Sequence, residues 1–85
     1  MIYQIEFTRI AYKGLEAIVS ADRVRIGKKI DALSRNPRPK GCRKLEGEDG
    51  LYRVRIGDYR VVYLVEDARL VILVVHIGHR RDVYR

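Results

Sequence analysis

Apolar and polar residues alternate with a period of two from Leu51 to Ile56 and again from Tyr59 to Val65, with Gly57-Asp58 between the two runs. This pattern predicts a β-hairpin closed by a two-residue turn. Glycine at the first turn position suits a type II′ turn, which requires positive φ there. In that register Ile56 faces Tyr59, Val54 faces Val61 and Tyr52 faces Tyr63, so one face is apolar and aromatic. The other face sets Arg55 directly opposite Arg60, with Arg53 two residues along. Like charges placed opposite one another destabilise a sheet. The arginines therefore do not serve folding, and they point to an anion.

The remaining pattern supplies the elements around the hairpin. Residues 2–7 are β-prone and predict a first strand. Thr8 is a candidate N-cap, and Ile10, Ala11, Leu15, Ile18 and Val19 recur at helical spacing, predicting a helix over 9–19. Ser20 or Asp22 is expected to cap a second helix whose apolar stripe is Ile26, Ile30 and Leu33. Gly27 lies inside that helix at a cost of about 1 kcal/mol against alanine, an expense expected to permit close helix packing. Asn36-Pro37 stops the helix, because a residue before proline avoids the α region.

Residues 40–50 read as a polar loop with a short extended piece around Leu45. Glu66–Arg69 read as a turn, and Leu70–Ile77 as a strand apolar on both faces and hence inside the sheet. The expected fold class is α+β, in one domain over 1–85. Two N-terminal helices pack on a four-stranded, mainly antiparallel sheet in the order β-α-α-β-β-β. The first strand joins as an edge, parallel to a later one through the helical crossover. The helices then cover the aromatic face of the hairpin and leave the arginine face open.

Parity extends that open face. With a second turn centred on Asp67-Ala68, Val75 lies opposite Arg60, and odd positions of the last strand share the arginine side. A three-residue turn would reverse this. His79 follows with the odd parity, so the tail is expected to bring His79, Arg80, Arg81 and Tyr84 to the rim beside Arg53, Arg55 and Arg60. His76 falls on the opposite parity and reads as a partly buried structural residue. Tyr52, Tyr59 and Tyr63 read as core, and the basic residues of the second helix as a solvated face.

Charge sharpens the anion reading. The chain carries 18 Lys and Arg against 11 Asp and Glu, a net charge of +7. The segment from Arg23 to Arg60 alone holds twelve basic against five acidic residues. A small domain so biased fits a polyanion, nucleic acid first. A membrane partner is not expected: no stretch is a strongly amphipathic apolar helix, and Leu70–Val75 is far too short to span a bilayer. The N-terminus has no signal-peptide pattern. Together these predict a soluble, cytoplasmic protein. A single cysteine, Cys42, excludes an internal disulfide and a cysteine-based metal site.

Several chemistries lack their parts. The open face has no paired carboxylates, and the chain has no CxxC, no HExxH and no glycine loop for phosphates. Ser20 and Ser34 sit at helix ends, where capping explains them. Neither a cofactor nor a small-molecule ligand is expected. What remains is an arginine cluster with one imidazole and one phenol, a set suited to RNA phosphodiester chemistry. Guanidinium groups grip a phosphate bidentately and stabilise the added charge of its transition state. A ribose 2′-OH supplies the nucleophile, so the protein need only position and transfer protons. Arginine cannot be the base. That leaves His79 and Tyr84, the latter also able to stack on a base.

These residues resemble a known family. Tyr52-Arg53-Val54-Arg55-Ile56-Gly57-Asp58-Tyr59-Arg60-Val61-Val62-Tyr63, followed by Val75-His76-Ile77-Gly78-His79-Arg80-Arg81-Asp82-Val83-Tyr84, resembles the RelE/ParE toxin superfamily of toxin–antitoxin systems. Asn36-Pro37 and Lys44-Leu45-x-Gly47 fit as well. The resemblance implies two helices on a four-stranded sheet and a cognate antitoxin that wraps the toxin. The RelE branch consists of ribosome-dependent endonucleases that cut mRNA in the A site by 2′-OH attack. By that resemblance Arg53 and Arg55 stand where RelE toxins carry catalytic basic residues, usually lysines. Arg60 and Arg80 match phosphate-binding arginines, Tyr84 matches a C-terminal tyrosine, and His79 occupies a position often filled by Lys or His. Lys44, Arg81 and Arg85 are expected to contact RNA, with the basic surface meeting the ribosome.

Arginine in place of lysine at 53 and 55 removes a lysine base and places the proton chemistry on His79 and Tyr84. The rival reading is a ParE-like toxin that poisons DNA gyrase without cutting RNA. A third is a non-catalytic RNA-binding module, whose affinity would fall with salt. Fold alone does not separate them.

Overall fold

Five strands and two helices follow one another along the chain: β1 (Gln4–Phe7), α1 (Arg9–Glu16), α2 (Ser20–Leu33), β2 (Arg43–Lys44), β3 (Leu51–Ile56), β4 (Tyr59–Glu66) and β5 (Val71–His79). The structure, a computed structural model, describes residues 2–79. The strands form one sheet in the order β1-β5-β4-β3-β2, with β1 parallel to β5 and the other pairs antiparallel. The parallel edge strand and the late meander are as the sequence predicts. The sheet has one strand more than expected: the extended piece placed near Leu45 is β2, which pairs Arg43 with Arg53 and Lys44 with Tyr52.

The helices cover one face. Ile26, Ile30 and Leu33 of α2 and Ala11 of α1 pack on Ile56, Val61, Tyr63, Val65, Ile72, Val74 and Ile77. Among the described residues Tyr63 is the largest fully buried side chain, and its hydroxyl donates to the carbonyl of Pro37 at 2.8 Å. Burial raises the Tyr63 phenol above its ordinary pKa, so it remains a neutral donor. A second tether binds the segment after α2. Arg38 donates to the Tyr52 hydroxyl at 2.9 Å and to Asp67 at 2.8 Å, and Tyr3 donates to the same carboxylate. The hydrogen bond from Arg38 holds the Asp67 carboxyl below its usual range.

The first helix is shorter than its periodicity suggests, and the second is capped differently. Thr8 caps α1 as expected, accepting from the Ala11 amide at 3.1 Å. The helix stops at Glu16, and Ile10 and Val19 are left 70% and 66% exposed instead of facing the core. Neither Ser20 nor Asp22 caps α2. Val19 is the N-cap residue and makes no side-chain cap, while Asp22 lies in the first turn, where it pairs with Arg25 and favours the helix dipole. The helix ends at Leu33, before Asn36-Pro37, as Ser34 turns its hydroxyl back to the Asp31 carbonyl at 2.6 Å.

Glycines exchange roles relative to expectation. Gly27 makes no close approach: a Cβ there would meet nothing within 4 Å. The tight contact belongs to Gly14, where a Cβ would sit 2.8 Å from the Ile77 carbonyl oxygen. This glycine lets α1 lie against β5 beyond the end of β1. Gly14→Ala should therefore destabilise by about 1–3 kcal/mol through overpacking. Gly27→Ala should stabilise by roughly 0.5–1 kcal/mol, since only helix propensity changes. Urea midpoints of the two variants, shifting in opposite directions, would verify this; equal shifts would refute it.

Candidate nucleic-acid interface

The hairpin register is the predicted one. Leu51 to Ile56 pair with Leu64 to Tyr59, so Arg55 faces Arg60 and Arg53 faces Val62. Gly57 has φ +60°, and Leu70 is the only non-glycine residue with positive φ among those described, so Asp58 is not left-handed and the turn is type II′. Ile56 and Tyr59 close the turn as a hydrogen-bonded pair, which makes Arg55–Arg60 the closer, non-hydrogen-bonded kind, with Cα atoms about 4.5 Å apart.

The last strand departs from prediction. Glu66 pairs with Val71 across a four-residue connection, Asp67 to Leu70, which leaves the parity as expected through Tyr63–Val74. A β-bulge then intervenes: Val62 pairs with His76, and Val75 has no residue opposite. The amide of Thr8 donates to the Val74 carbonyl at 2.9 Å and its hydroxyl to the Val75 carbonyl at 3.2 Å, so the start of α1 fixes the bulged segment. One extra residue reverses every side chain beyond it.

Two expectations are corrected by this. Gly78, not Val75, lies opposite Arg60, and His79 lies opposite Tyr59 on the helix side of the sheet. There its ring meets Tyr59 edge-on at 5.0 Å, beside a recess of about 300 Å³ lined by Gly14, Ile18 and Ile77 among others. His76 instead shares the arginine side. Lys44, expected to contact RNA, pairs with Tyr52 and takes the helix-side parity, while its neighbour Arg43 pairs with Arg53 on the open face.

The open face thus consists of rows running across the strands. One row is Arg43–Arg53–Val62–His76, and the next is Arg55–Arg60–Gly78. Towards the other end come Leu51–Leu64–Leu73–Glu6 and then Glu66–Val71–Gln4. Charge is therefore graded along the face: cationic beside the Gly57 turn, apolar in the middle, acidic at the far end. The ion pairs of the described residues, Arg25–Asp22, Arg38–Asp67 and Arg69–Glu66, involve none of Arg43, Arg53 and Arg55. The cationic corner continues around the edge of β3 into a cavity of about 420 Å³ whose polar lining includes Lys29, Asn36, Lys40, Arg43, Arg53 and Arg55. Lys29, Lys40 and Arg43 were not singled out from sequence. Lys29 follows from the helical phase of Ile26, Ile30 and Leu33, but Arg43 and Lys40 depend on a two-residue strand that periodicity cannot register.

Comparison with known proteins identifies the family and the fold. A family described as ParE toxin of type II toxin–antitoxin system, parDE, matches residues 5–84. The chain belongs to this toxin family. It is 31% identical over 88 residues to the putative toxin RelE1 of Methanocaldococcus jannaschii, covering 100% of this chain and 98% of that one. Identity is also 31% to the mRNA interferase toxin RelE of Escherichia coli K12, over 99% of this chain and 92% of the relative. Among solved structures, the archaeal RelE–RelB complex from Pyrococcus horikoshii superposes with a TM-score of 0.84 at 32% identity, covering 98% of this chain and 100% of that one.

Within this toxin fold, Arg53, Arg55 and Arg60 gather on one corner of the sheet face and His79 is separated from them by the thickness of the sheet. Arg80, Arg81, Tyr84 and Arg85 lie outside the described residues. No described helix is long and apolar enough to cross a membrane. Among the described residues no group of His, Cys, Asp and Glu is arranged to hold a metal.

Proposed function

We propose that this toxin is an endoribonuclease that cuts mRNA on the ribosome, using the cationic corner of its open sheet face. The observation that carries this reading is the Arg55–Arg60 pair with Arg53 and Arg43 beside it. Four guanidinium groups on adjacent strands, on the face opposite the helices, form a rigid receptor for a phosphodiester. Arg53 and Arg60 grip the non-bridging oxygens, and Arg55 adds charge as the phosphorus becomes pentavalent. The 2′-oxygen attacks the adjacent phosphorus and the bond to the 5′-oxygen breaks, leaving a 2′,3′-cyclic phosphate and a 5′-hydroxyl.

Arg80 as a second phosphate-binding arginine and Tyr84 as the proton donor to the departing 5′-oxygen complete the set, on the strength of the family resemblance. Arg81 and Arg85 extend the contact to RNA. The similarity to a protein named mRNA interferase supports the activity. The RelE–RelB complexes of similar proteins support an antitoxin partner that neutralises the basic face. A target on the ribosome places the toxin in the cytoplasm.

The family description itself, ParE toxin, favours a second reading, inhibition of DNA gyrase without RNA cleavage. Primer extension on a defined mRNA in a translation extract separates the two. Cuts within A-site codons are expected on adding toxin. An uncut message together with blocked gyrase supercoiling would establish the second reading instead.

A further inference from the structure

The bulge at Val75 places on the arginine face a histidine that simple alternation assigns to the other side. We propose that His76, and not His79, is the base that takes the 2′-hydroxyl proton; this rests on the nuclease reading above. His76 is half-buried in β5, directly opposite Val62, which is itself directly opposite Arg53. The row Arg53–Val62–His76 therefore spans two strand spacings, about 9–10 Å between its outer backbones. Val62, between them in the row, is buried at 8% exposure, so the larger side chains around it close over it. Arg60, paired with Gly78, is the diagonal neighbour of His76, at a separation of roughly 7–8 Å that a guanidinium readily crosses.

A phosphodiester lying across this row would have Arg53 on one flank, His76 on the other and Arg60 at its end. That places an imidazole beside the ribose and guanidinium groups on the phosphate oxygens. Arginine has no role as a base at neutral pH, whereas a neutral imidazole accepts a proton in that range. The step balances: the proton of the 2′-hydroxyl passes to His76 as the 2′-oxygen–phosphorus bond forms, the 5′-oxygen leaves with a proton from Tyr84, and both side chains re-equilibrate with water. His79 is poorly placed for this step, since it faces Tyr59 on the helix side.

The charged residues of the elements packed on β5 are Glu6 of β1, Arg60 and Glu66 of β4, and Arg9, Lys13 and Glu16 of α1. Of these, Glu6, Arg60 and Glu66 share the open face, and the two acids stand in the rows farther from His76.

The test is single-turnover cleavage on programmed ribosomes by wild type, His76→Gln, His76→Ala and His79→Gln, followed between about pH 5 and 8. His76→Gln and His76→Ala are expected to cut about 100-fold more slowly. They should also lose the rise in rate with pH that the wild type shows, and added imidazole should restore cutting by His76→Ala. Antitoxin binding by each variant reports folding separately. If His76→Gln cuts at the wild-type rate with the wild-type pH profile, the assignment is wrong while the nuclease reading stands. It is equally overturned if His79→Gln alone removes the pH-dependent limb. A wild type that does not cut at any pH removes the nuclease reading and this assignment with it.

Discussion

Arg60→Ala should slow single-turnover cleavage of ribosome-bound mRNA by about 100- to 1,000-fold, equivalent to about 2.7–4 kcal/mol of transition-state stabilisation. The magnitude follows from the position. Arg60 lies in β4, an interior strand hydrogen-bonded on both sides, so its backbone cannot move to meet the phosphate. It stands opposite Arg55 and diagonal to His76, where two rows of the face meet. A guanidinium fixed there needs no reorganisation as charge develops, and the paired N–H groups suit two phosphate oxygens at once. Arg60→Lys should recover only part of the loss, because an ammonium is a point charge without the fork geometry. Neither change touches the helix-side core, so both variants should unfold at nearly the wild-type temperature. A rate within threefold or so of wild type for Arg60→Ala would remove this residue from the site.

Tyr63→Ala should lower stability by about 3–5 kcal/mol, enough to leave so small a domain largely unfolded. Tyr63 is fully buried, stacks on Tyr52 with ring centres 6.0 Å apart, and anchors the Pro37 carbonyl. Its removal opens a cavity between α2 and β4 and strands a carbonyl that the phenol had satisfied. Tyr63→Phe keeps the ring and should cost only about 0.5–1.5 kcal/mol, the net value of the hydrogen bond. Urea denaturation measures both. Similar losses in the two variants would mean that the hydroxyl, and not the packing, holds this region.

What the sequence made legible was whatever depends on local periodicity. The period-two runs around Gly57-Asp58 determine the hairpin register residue by residue, and with it the Arg55–Arg60 pair. The stripe Ile26, Ile30, Leu33 likewise identifies the buried side of α2. The illegible features arise where the chain is fixed by contacts distant in sequence. The bulge at Val75 is held by Thr8, and nothing in the run Leu70–Ile77 announces it, because a strand apolar on both sides carries no parity signal. His76 and His79 exchanged faces for that reason alone. The faces of Arg43 and Lys44 were not legible at all, because a two-residue strand is too short to show alternation. Gly14 and Gly27 look alike in sequence, and only the approach of α1 to Ile77 separates their roles.

The central claim is that the open face of the sheet, and not the basic outer face of the helices, performs the toxin's chemistry. Charge alone would make the two equivalent, so the deciding measurement holds charge constant. Primer extension on a defined mRNA in a translation extract would compare the combined variant Arg53→Ala, Arg55→Ala and Arg60→Ala with the combined variant Lys13→Ala, Lys28→Ala and Arg35→Ala. Each loses the same positive charge. The account predicts that the first leaves the message uncut while the second cuts it at the wild-type codons. Cutting that survives the sheet-face changes, or is lost with the helix-face changes alone, would contradict it.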